Sequence, residues 1–291
     1  MIKEITAREL NSEKFIAEKV EEIRKSVGDG QAINALSGGV DSSTVTLLGH
    51  RALGVTVEVV DARAEFFGAL KGVTDPEAKR EAITQTFYRH VFGRLVRERG
   101  AKHLLQGTIL TDVDETVAGI KRQHNVFEQL GISPQEAFGY QILEPLVQLR
   151  KDGVRKLGEA LGLPRELFQR IPFPGPALAA RVIGEATPAR IETVRQATSV
   201  VERLLAGRGA FQYLAILHED RVTGMRNGRR EFGQQIEVRC WDSLDARTAT
   251  PTRLPFEILE QLAGEILQTV PGVVSVTYNI APKPPSTIEA V

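Results

Sequence analysis

The chain has 291 residues, 42% of them hydrophobic and 25% charged, which are the proportions of a globular protein with one large domain or two ordinary ones. Its basic and acidic residues balance at 37 each, so the net charge points to neither a nucleic-acid nor a membrane partner. A single cysteine, Cys240, excludes an intrachain disulfide and a cysteine metal cluster. Because the start lacks the apolar region of a signal peptide and no apolar run could span a bilayer, we expect a cytoplasmic protein.

The first half of the chain alternates between helical and strand-like patterns. Apolar residues at helical spacing predict an amphipathic helix over 12–27, and a second helix follows a glycine-rich loop as far as Gly54. A four-spaced apolar stripe predicts a long helix that begins at Pro76, and a further helix ends at Gly162. Strands are predicted at 32–36, 55–60, 104–109 and 142–146. This alternation predicts an α/β fold with a parallel sheet, flanking helices and ligands at the carboxyl ends of the strands.

The pattern changes after 171–176, where closely spaced prolines prevent a helix and stiffen the chain. Beyond this segment, helices at 190–206 and 256–268 alternate with strands at 211–217, 234–241 and 273–280. We therefore predict two domains, one over 1–170 and a smaller α+β domain over 171–291.

One loop carries the strongest functional signal. It follows the strand-like run at 32–36 and reads Ser37-Gly38-Gly39-Val40-Asp41-Ser42-Ser43. A strand that breaks at two glycines and enters a helix points several backbone N–H groups at one spot, where the helix dipole also favours an anion. We therefore predict a phosphate site, to which the serines add hydroxyl donors and where Asp41 holds a metal ion. The alternative is a turn that only caps the helix, with Asp41 or Ser42 as the N-cap.

This loop is not of the Walker A type, because it lacks the lysine of that motif. Ser-Gly-Gly-x-Asp-Ser instead resembles the signature of the ATP pyrophosphatases, or PP-loop enzymes. Four further segments resemble motifs of the ATP-pyrophosphatase portion of GMP synthase: Leu-Lys-Gly-Val-Thr-Asp-Pro-Glu at 70–77, Ile-Pro-Phe-Pro-Gly-Pro at 171–176, Arg-Val-Ile-Gly-Glu at 181–185 and Lys-Pro-Pro-Ser-Thr-Ile-Glu at 283–289. The resemblance implies an adenine nucleotide alpha hydrolase-like domain, followed by a smaller C-terminal α+β dimerisation domain.

The resemblance also implies a reaction in two steps. ATP adenylylates the C2 oxygen of xanthosine 5′-monophosphate (XMP) and releases pyrophosphate, and ammonia then displaces AMP to give GMP. Adenylylation turns a poor leaving group into a good one. Because Cys240 lies near the end of the chain, it cannot be the nucleophile of an N-terminal glutaminase domain. Ammonia would therefore come from a separate glutamine amidotransferase subunit or from solution.

By position, the resemblance assigns 37–43 to the phosphates of ATP. Asp41 and Asp112 would hold Mg²⁺, and Lys121 would stabilise the transferring phosphoryl group from a mobile lid. The XMP site would draw on Arg80, Gln212, Lys283, Ile288 and Glu289. For Arg80 and Lys121, the ordinary alternative is a solvated surface charge. For Lys283 and Glu289, it is a proline-rich tail that is merely ordered by packing.

The chain also departs from the family pattern. Gly54 passes directly to the strand-like run at 55–60, so one strand-helix unit of roughly 30 residues is missing, and this unit normally supplies part of the adenine pocket. Three explanations stay open: the unit is lost and the strand at 55–60 has moved in beside the first strand, the chain is a paralogue with altered or no catalysis, or the numbering runs continuously across an omitted stretch. The lid at 123–128 has also lost the two glycines of the family pattern.

Functions of different classes therefore compete. The first is the ATP-pyrophosphatase subunit of GMP synthase, a carbon–nitrogen ligase that acts as a homodimer. The second is a catalytically impaired homologue that binds nucleotide and has a regulatory or partner-binding function. A third is a PP-loop enzyme that adenylylates a tRNA base or a carboxylate, but the neutral net charge and the tail at 283–289 argue against tRNA.

Overall fold

The computed structural model describes residues 2–117, 140–168, 171, 177–243 and 248–290. Their contacts divide the chain into two compact units: Met1–Val60 with Tyr88–Arg170, and Asp61–Phe87 with Ile171–Val291. Residues 61–87 thus group with the C-terminal part of the chain. The domain bounds predicted from the sequence stay a prediction.

Helices and strands alternate along the described residues. In chain order they are α1 (Ser12–Val27), β1 (Ala32–Asn34), α2 (Val40–Leu53), α3 (Arg63–Leu70), α4 (Pro76–Gln85), a π-helix (Thr86–Phe92), α5 (Gly93–Arg99), β2 (His103–Leu105), α6 (Leu110–Val117), β3 (Gln141–Leu143), α7 (Lys151–Leu161), α8 (Arg165–Phe168), a 3₁₀-helix (Ala177–Arg181), α9 (Pro188–Leu205), β4 (Gln212–Arg226), β5 (Arg229–Asp242), β6 (Thr250–Pro251), α10 (Phe256–Thr269) and β7 (Val273–Tyr278). The long helix predicted from Pro76 is present as α4, the π-helix and α5 in succession.

Helices of the first unit begin and end where local sequence signals predict. At the start of α1, the side chain of Asn11 accepts a hydrogen bond from the backbone N–H of Lys14 at 3.1 Å. Gly28 and Gly162 follow α1 and α7 with φ values of +56° and +88°, which favour glycine. The helices predicted over 12–27 and before Gly162 are therefore confirmed.

The first unit contains a three-stranded parallel sheet in the order β1-β2-β3. Ala32 pairs with His103, and His103 pairs with Gln141, so the three strands run in one direction from a common level. Helices α1, α2 and α7 pack together and bury Leu48 and Leu157 completely. Burial of one such leucine contributes about 1.5–3 kcal/mol. A parallel sheet with flanking helices is confirmed, and the carboxyl ends of its strands meet at one edge.

The strand predicted at 55–60 does not form. These residues have no regular secondary structure, and Val55, Val57 and Val59 are 51%, 66% and 92% exposed. β-Branched residues favour a strand only where a neighbouring strand offers backbone partners and a face to pack against. In the part of the chain that the structure describes, the sheet β1-β2-β3 does not include this segment. The explanation in which it has moved in beside the first strand is therefore wrong.

The second unit is built on a four-stranded sheet. β4 and β5 form a long antiparallel hairpin, β6 pairs with the end of β5, and β7 runs parallel to β5. The hairpin turns at Asn227 and Gly228, whose φ values of +51° and +73° suit the tight turn of an Asn-Gly pair. Both strands extend beyond the predicted 211–217 and 234–241, because backbone pairing continues through exposed residues as far as this turn.

Two helices pack on this sheet, α9 against β4 and α10 against β7. Val201 of α9, Ile236 of β5 and Ile266 of α10 are fully buried in the resulting core. The unit follows the predicted α+β pattern, whereas its use in dimerisation stays a prediction. Within the described ranges, no helix combines the length and the apolar character that crossing a bilayer requires.

Candidate functional site

The glycine-rich loop joins β1 to α2 at the carboxyl edge of the parallel sheet. Within it, Gly38 has a φ of +79°, which favours glycine. Gly39 is the N-cap of α2 in an extended conformation, and no side chain caps the helix. Because the first N–H groups of a helix have no partner within it, these donors are open to an anion. The alternative in which Asp41 or Ser42 is the N-cap is therefore wrong.

Two serine hydroxyls meet at this loop. The Oγ atoms of Ser37 and Ser42 lie 3.0 Å apart, and the Ser42 hydroxyl also donates to the carbonyl oxygen of Gly39 at 3.1 Å. Ser37 is exposed, whereas Ser43 is 6% exposed and lies on the packed side of α2. Of the predicted phosphate donors, the structure brings Ser37 and Ser42 together and places Ser43 toward the interior.

Gly107 packs against the loop from the neighbouring strand. It follows β2, and a Cβ atom at this position would lie 3.1 Å from the carbonyl carbon of Asp41 and 3.2 Å from the backbone nitrogen of Ser42. A side chain here would press on the backbone of the loop, so the absence of a Cβ atom allows this close approach. Gly107 is absent from the predicted site, although a glycine at the end of a strand is itself a signal of close backbone approach.

A lysine from a distant segment also reaches the loop. Lys151, the first residue of α7, places its Nζ atom 2.6 Å from Oδ2 of Asp41. The two side chains are 45% and 26% exposed, so the ion pair adds at most about 1 kcal/mol to stability. The ion pair matters more for its location, because it brings an ammonium group to a glycine-rich loop that has no lysine of its own. The sequence prediction missed Lys151, and its only signal was its place after a predicted strand of a parallel sheet.

The other carboxylate oxygen of Asp41 is available to a cation. Oδ1 is buried and has no hydrogen-bond partner among the described residues. Mg²⁺ is typically held by one or two carboxylates together with phosphate oxygens and water, so this oxygen, beside phosphate donors, fits the ion. In the described ranges, no cluster of three or more His, Cys, Asp or Glu side chains is arranged for a metal ion, so protein ligands would be few.

Asp112, the second predicted metal ligand, lies in the first turn of α6. Its Oδ2 atom accepts a hydrogen bond from the backbone N–H of Ile109 at 3.0 Å, which helps to satisfy the start of the helix. Beside it, the Thr108 hydroxyl donates to Oε1 of Glu144 at 2.5 Å and so links the ends of β2 and β3. Lys121, the predicted catalytic residue of the lid, lies outside the described residues.

In the second unit, the structure groups three of the residues predicted to bind XMP. The side-chain amide of Gln212 donates to Oε1 of Glu289 at 2.7 Å. Oε2 of Glu289 lies 3.5 Å from Nε of Arg181, whose side chain is fully buried. Ile288 is 8% exposed and packs in a small apolar cluster with Trp241. Gln212, Ile288 and Glu289 therefore lie together, with Arg181 beneath the carboxylate.

The two remaining XMP candidates are cations in the same unit. Lys283 begins the tail at 283–289, and its backbone pairs with that of Ala249 through hydrogen bonds of 2.8 and 3.0 Å. Arg80 lies on α4, where its Nε atom is 3.7 Å from Oε1 of Glu77. Their binding to XMP stays a prediction.

Two cations, the buried Lys79 and the partly buried Arg190, fix the Arg-Val-Ile-Gly-Glu motif at 181–185. Lys79 is 1% exposed and donates from Nζ to the carbonyl oxygen of Val182 at 2.6 Å. Arg190 donates to two further carbonyl oxygens of the motif at 2.7 and 3.0 Å. Burial lowers the pKa of Lys79, and the charge of Arg190 lowers it further. The motif is thus held from inside the unit by a lysine that the sequence prediction did not include.

Comparisons with known proteins agree with these features. Residues 201–290 match the family described as GMP synthase C terminal domain. A subunit of the glutamine-hydrolysing GMP synthase of Pyrococcus abyssi (strain GE5 / Orsay) is 42% identical over 312 residues, which cover 96% of this chain and 99% of the relative. The corresponding subunit of Archaeoglobus fulgidus is 42% identical over 307 residues, with coverage of 96% and 99%. That of Methanocella arvoryzae is 43% identical over 303 residues, with coverage of 94% and 97%.

The lengths of these alignments bear on the missing strand-helix unit. Alignments of 312, 307 and 303 residues exceed the 291 residues of the chain, so each contains positions for which this chain has no residue. Despite these positions, the identity stays above 40% over nearly the whole length of this chain and of each relative. This chain belongs to the family of these GMP synthase subunits.

Proposed function

We propose that this chain is the ATP-pyrophosphatase subunit of a two-subunit GMP synthase. The C2 oxygen of XMP attacks the α-phosphorus of ATP, the bond from that phosphorus to the bridging oxygen breaks, and pyrophosphate leaves. Ammonia then adds at C2, and AMP departs with the oxygen to give GMP. The loop at 37–43 is the observation that carries this proposal, because its open N–H groups and adjoining serines suit a polyphosphate leaving group.

Catalysis by this loop is electrostatic. Negative charge builds on the β-phosphate as the bond to the α-phosphorus breaks, and donors already aimed at that place stabilise the transition state. Ser37, Ser42 and the first-turn N–H groups of α2 supply the donors, and Lys151 supplies a positive charge beside them. Loss of one preorganised donor typically slows an enzyme by about 10²–10³-fold.

Asp41 and Asp112 are the residues that would hold Mg²⁺ in this proposal. When bound, the ion would neutralise negative charge on the phosphates. Lys151 orients the Asp41 carboxylate through Oδ2, which leaves the buried Oδ1 for the cation. Lys121 stabilises the transferring phosphoryl group, as the resemblance implies.

XMP would bind at the tail at 283–289. Lys283 and Arg80 are cations of the kind that bind a nucleotide phosphate. The carboxylate of Glu289 accepts hydrogen bonds from sugar hydroxyl groups or base N–H groups. Gln212 holds one of its oxygens at 2.7 Å, which supports a carboxylate of fixed orientation at this position.

Ammonia reaches the site from a separate glutamine amidotransferase subunit. Relatives that are named as single subunits of glutamine-hydrolysing GMP synthases support such a division between two chains. In this proposal the reaction takes place in the cytoplasm, and an ammonium salt replaces the partner subunit in an assay.

The chain would act as a homodimer through its second unit. Met225 and Phe232 lie on the β4–β5 hairpin and are 68% and 63% exposed. Large apolar side chains that are exposed on one hairpin favour an interface. Sedimentation should therefore give a dimer for the wild type and a monomer for the Met225→Ser, Phe232→Ser double variant. A wild-type monomer would contradict this part of the proposal.

Pyrophosphate release tests the reaction itself. The purified chain is incubated with ATP, Mg²⁺ and ammonium sulfate, with and without XMP, and we expect pyrophosphate and GMP only when XMP is present. Asp41→Asn should lower the rate by at least about 100-fold, because it removes the charged partner of Lys151 and the proposed metal ligand. Asp29→Asn makes the same change at an exposed position of the same unit and should leave the rate within about twofold.

Binding of both nucleotides without turnover would instead support the catalytically impaired homologue. The comparisons do not favour that alternative, since the relatives are named as enzyme subunits. Pyrophosphate release that needs no XMP would point to a PP-loop enzyme with another substrate.

A further inference from the structure

The tail at 283–289 is held from inside the second unit by an arginine of β5. Nη1 of Arg239 donates to the carbonyl oxygen of Thr287 at 2.7 Å and lies 3.4 Å from that of Ile288. Arg239 is only 8% exposed, so its guanidinium group reaches the tail from the interior rather than from solvent. Both carbonyl groups directly precede Glu289, whose carboxylate pairs with Gln212.

A buried cation needs a counter-charge, and Glu237 provides it two residues away on the same strand. Oε1 of Glu237 accepts hydrogen bonds from Nε of Arg239 at 2.5 Å and from the side-chain amide of Asn279 at 3.0 Å. Oε2 of Glu237 lies 2.7 Å from Nε2 of His218. One edge of the guanidinium group is thus fixed by a carboxylate that His218 and Asn279 also hold, and the other edge contacts the tail.

We propose that Arg239 is a positioning residue of the XMP site. It sets the backbone at Thr287 and Ile288, and so determines where the carboxylate of Glu289 stands relative to substrate, without touching the substrate itself. This inference rests on the proposed function, because it assigns Arg239 to the site in which Glu289 binds XMP.

The chemistry of the side chain favours arginine over lysine here. A guanidinium group offers donors in a rigid plane, so one group can bind a carboxylate on one edge and carbonyl oxygens on the other. A lysine has one ammonium group and cannot hold both sets of partners in the same geometry. Arg239→Lys should therefore keep the buried charge and lose the position of the tail.

Steady-state kinetics with ammonium sulfate test the proposal on the full chain. For Arg239→Lys we expect the KM for XMP to rise by about tenfold or more, because a charge-assisted hydrogen bond to the tail is lost. The kcat and the KM for ATP should stay within about twofold, because this bond lies only on the XMP side. Arg195→Lys, at a 58% exposed position of the same unit, is the matched control and should change neither KM. A loss of kcat in proportion to the folded fraction, with the KM for XMP unchanged, would overturn the proposal and leave Arg239 a purely structural residue.

A double-mutant cycle shows whether Arg239 acts through Glu289. In the Glu289→Gln background, Arg239→Lys should raise the KM for XMP by less than about twofold, because the group that it positions is already lost. Equal effects in both backgrounds would overturn the inference. Calorimetric titration with XMP separates this failure from that of the proposed function: a wild type that binds no XMP overturns both, whereas equal affinity of wild type and Arg239→Lys overturns the inference alone.

Discussion

Glu237 is the buried carboxylate on which we expect the stability of the second unit to depend most sharply. It is 9% exposed and takes hydrogen bonds from His218, Arg239 and Asn279 at 2.7, 2.5 and 3.0 Å. Burial alone raises the pKa of Glu237, but these hydrogen bonds and the charge of Arg239 outweigh burial and lower the pKa from 4.5 to about 2. We predict that Glu237→Gln destabilises the unit at neutral pH and does so less in acid.

The size of the effect follows from the shift in pKa. A fall from 4.5 to about 2 corresponds to about 3 kcal/mol. Because the pKa is lower in the folded state, this stability is fully present above pH 4.5 and is lost as the pH falls toward 2. It amounts to about 3 kcal/mol at pH 7 and pH 5, and to about 2 kcal/mol at pH 3.5. The variant also leaves Arg239 without its buried counter-charge, which makes a cost of about 3–5 kcal/mol reasonable at pH 7.

Urea unfolding followed by the fluorescence of Trp241 measures this difference. Trp241 is the only tryptophan of the chain, is 1% exposed and lies on β5 with Glu237, so it reports on the second unit. Glu192→Gln removes a 49% exposed partner of Arg195 and should cost less than about 1 kcal/mol at every pH. A cost of less than about 1 kcal/mol for Glu237→Gln at pH 7, or a cost that does not shrink between pH 5 and pH 3.5, would contradict this dependence on Glu237.

Three shorter predictions concern the first unit. Val59→Lys, at a 92% exposed position, should change the free energy of unfolding by less than about 0.5 kcal/mol. Leu48→Ala in the core should lower it by about 2–5 kcal/mol, and denaturant titration compares the two variants. Gly107→Val should abolish pyrophosphate release without changing the circular dichroism spectrum, because the new side chain collides with the loop at Asp41. Lys151→Met should raise the KM for ATP by about tenfold and leave that for XMP within about twofold, as initial rates will show; equal rises in both would contradict its place beside the ATP phosphates.

Helices could be predicted from the sequence because their signals are local. The apolar spacing over 12–27 and the cap at Asn11 lie within one stretch of chain, and α1 begins and ends where these signals place it. Gly162 marks the end of α7 in the same way, since a residue with positive φ favours glycine whatever surrounds it.

Strand formation at 55–60 could not be judged from the same kind of signal. The alternation of valines is as strong as that of any strand in the chain, yet a strand exists only where another strand pairs with it. The absence of that neighbour is a property of the whole sheet, and no feature of the six residues themselves reveals it.

The residues of the candidate site also differ in whether a local or a distant signal reveals them. The loop at 37–43 was predictable because a strand, two glycines and a helix follow one another directly. Lys151 was not, because it meets Asp41 across 110 residues of sequence, through two strands that end at the same edge of the sheet. Gln212 and Glu289 are 77 residues apart. From the sequence, only the family resemblance indicated that they belong to one site.

The described contacts that hold the loop at 37–43 do not come from the strand-helix unit that the family pattern places after Gly54. β1 is an edge strand of the described parallel sheet, and the contacts that fix the loop, from Gly107 after β2 and Lys151 after β3, come from the other strands of that sheet. The family pattern puts the missing unit directly after Gly54 and gives it part of the adenine pocket. Its absence from the sequence therefore bears on the surroundings of the proposed adenine site, whereas the groups proposed to receive pyrophosphate are present without it. For this reason release of pyrophosphate, rather than selectivity for the base, is the activity by which the chain is best judged.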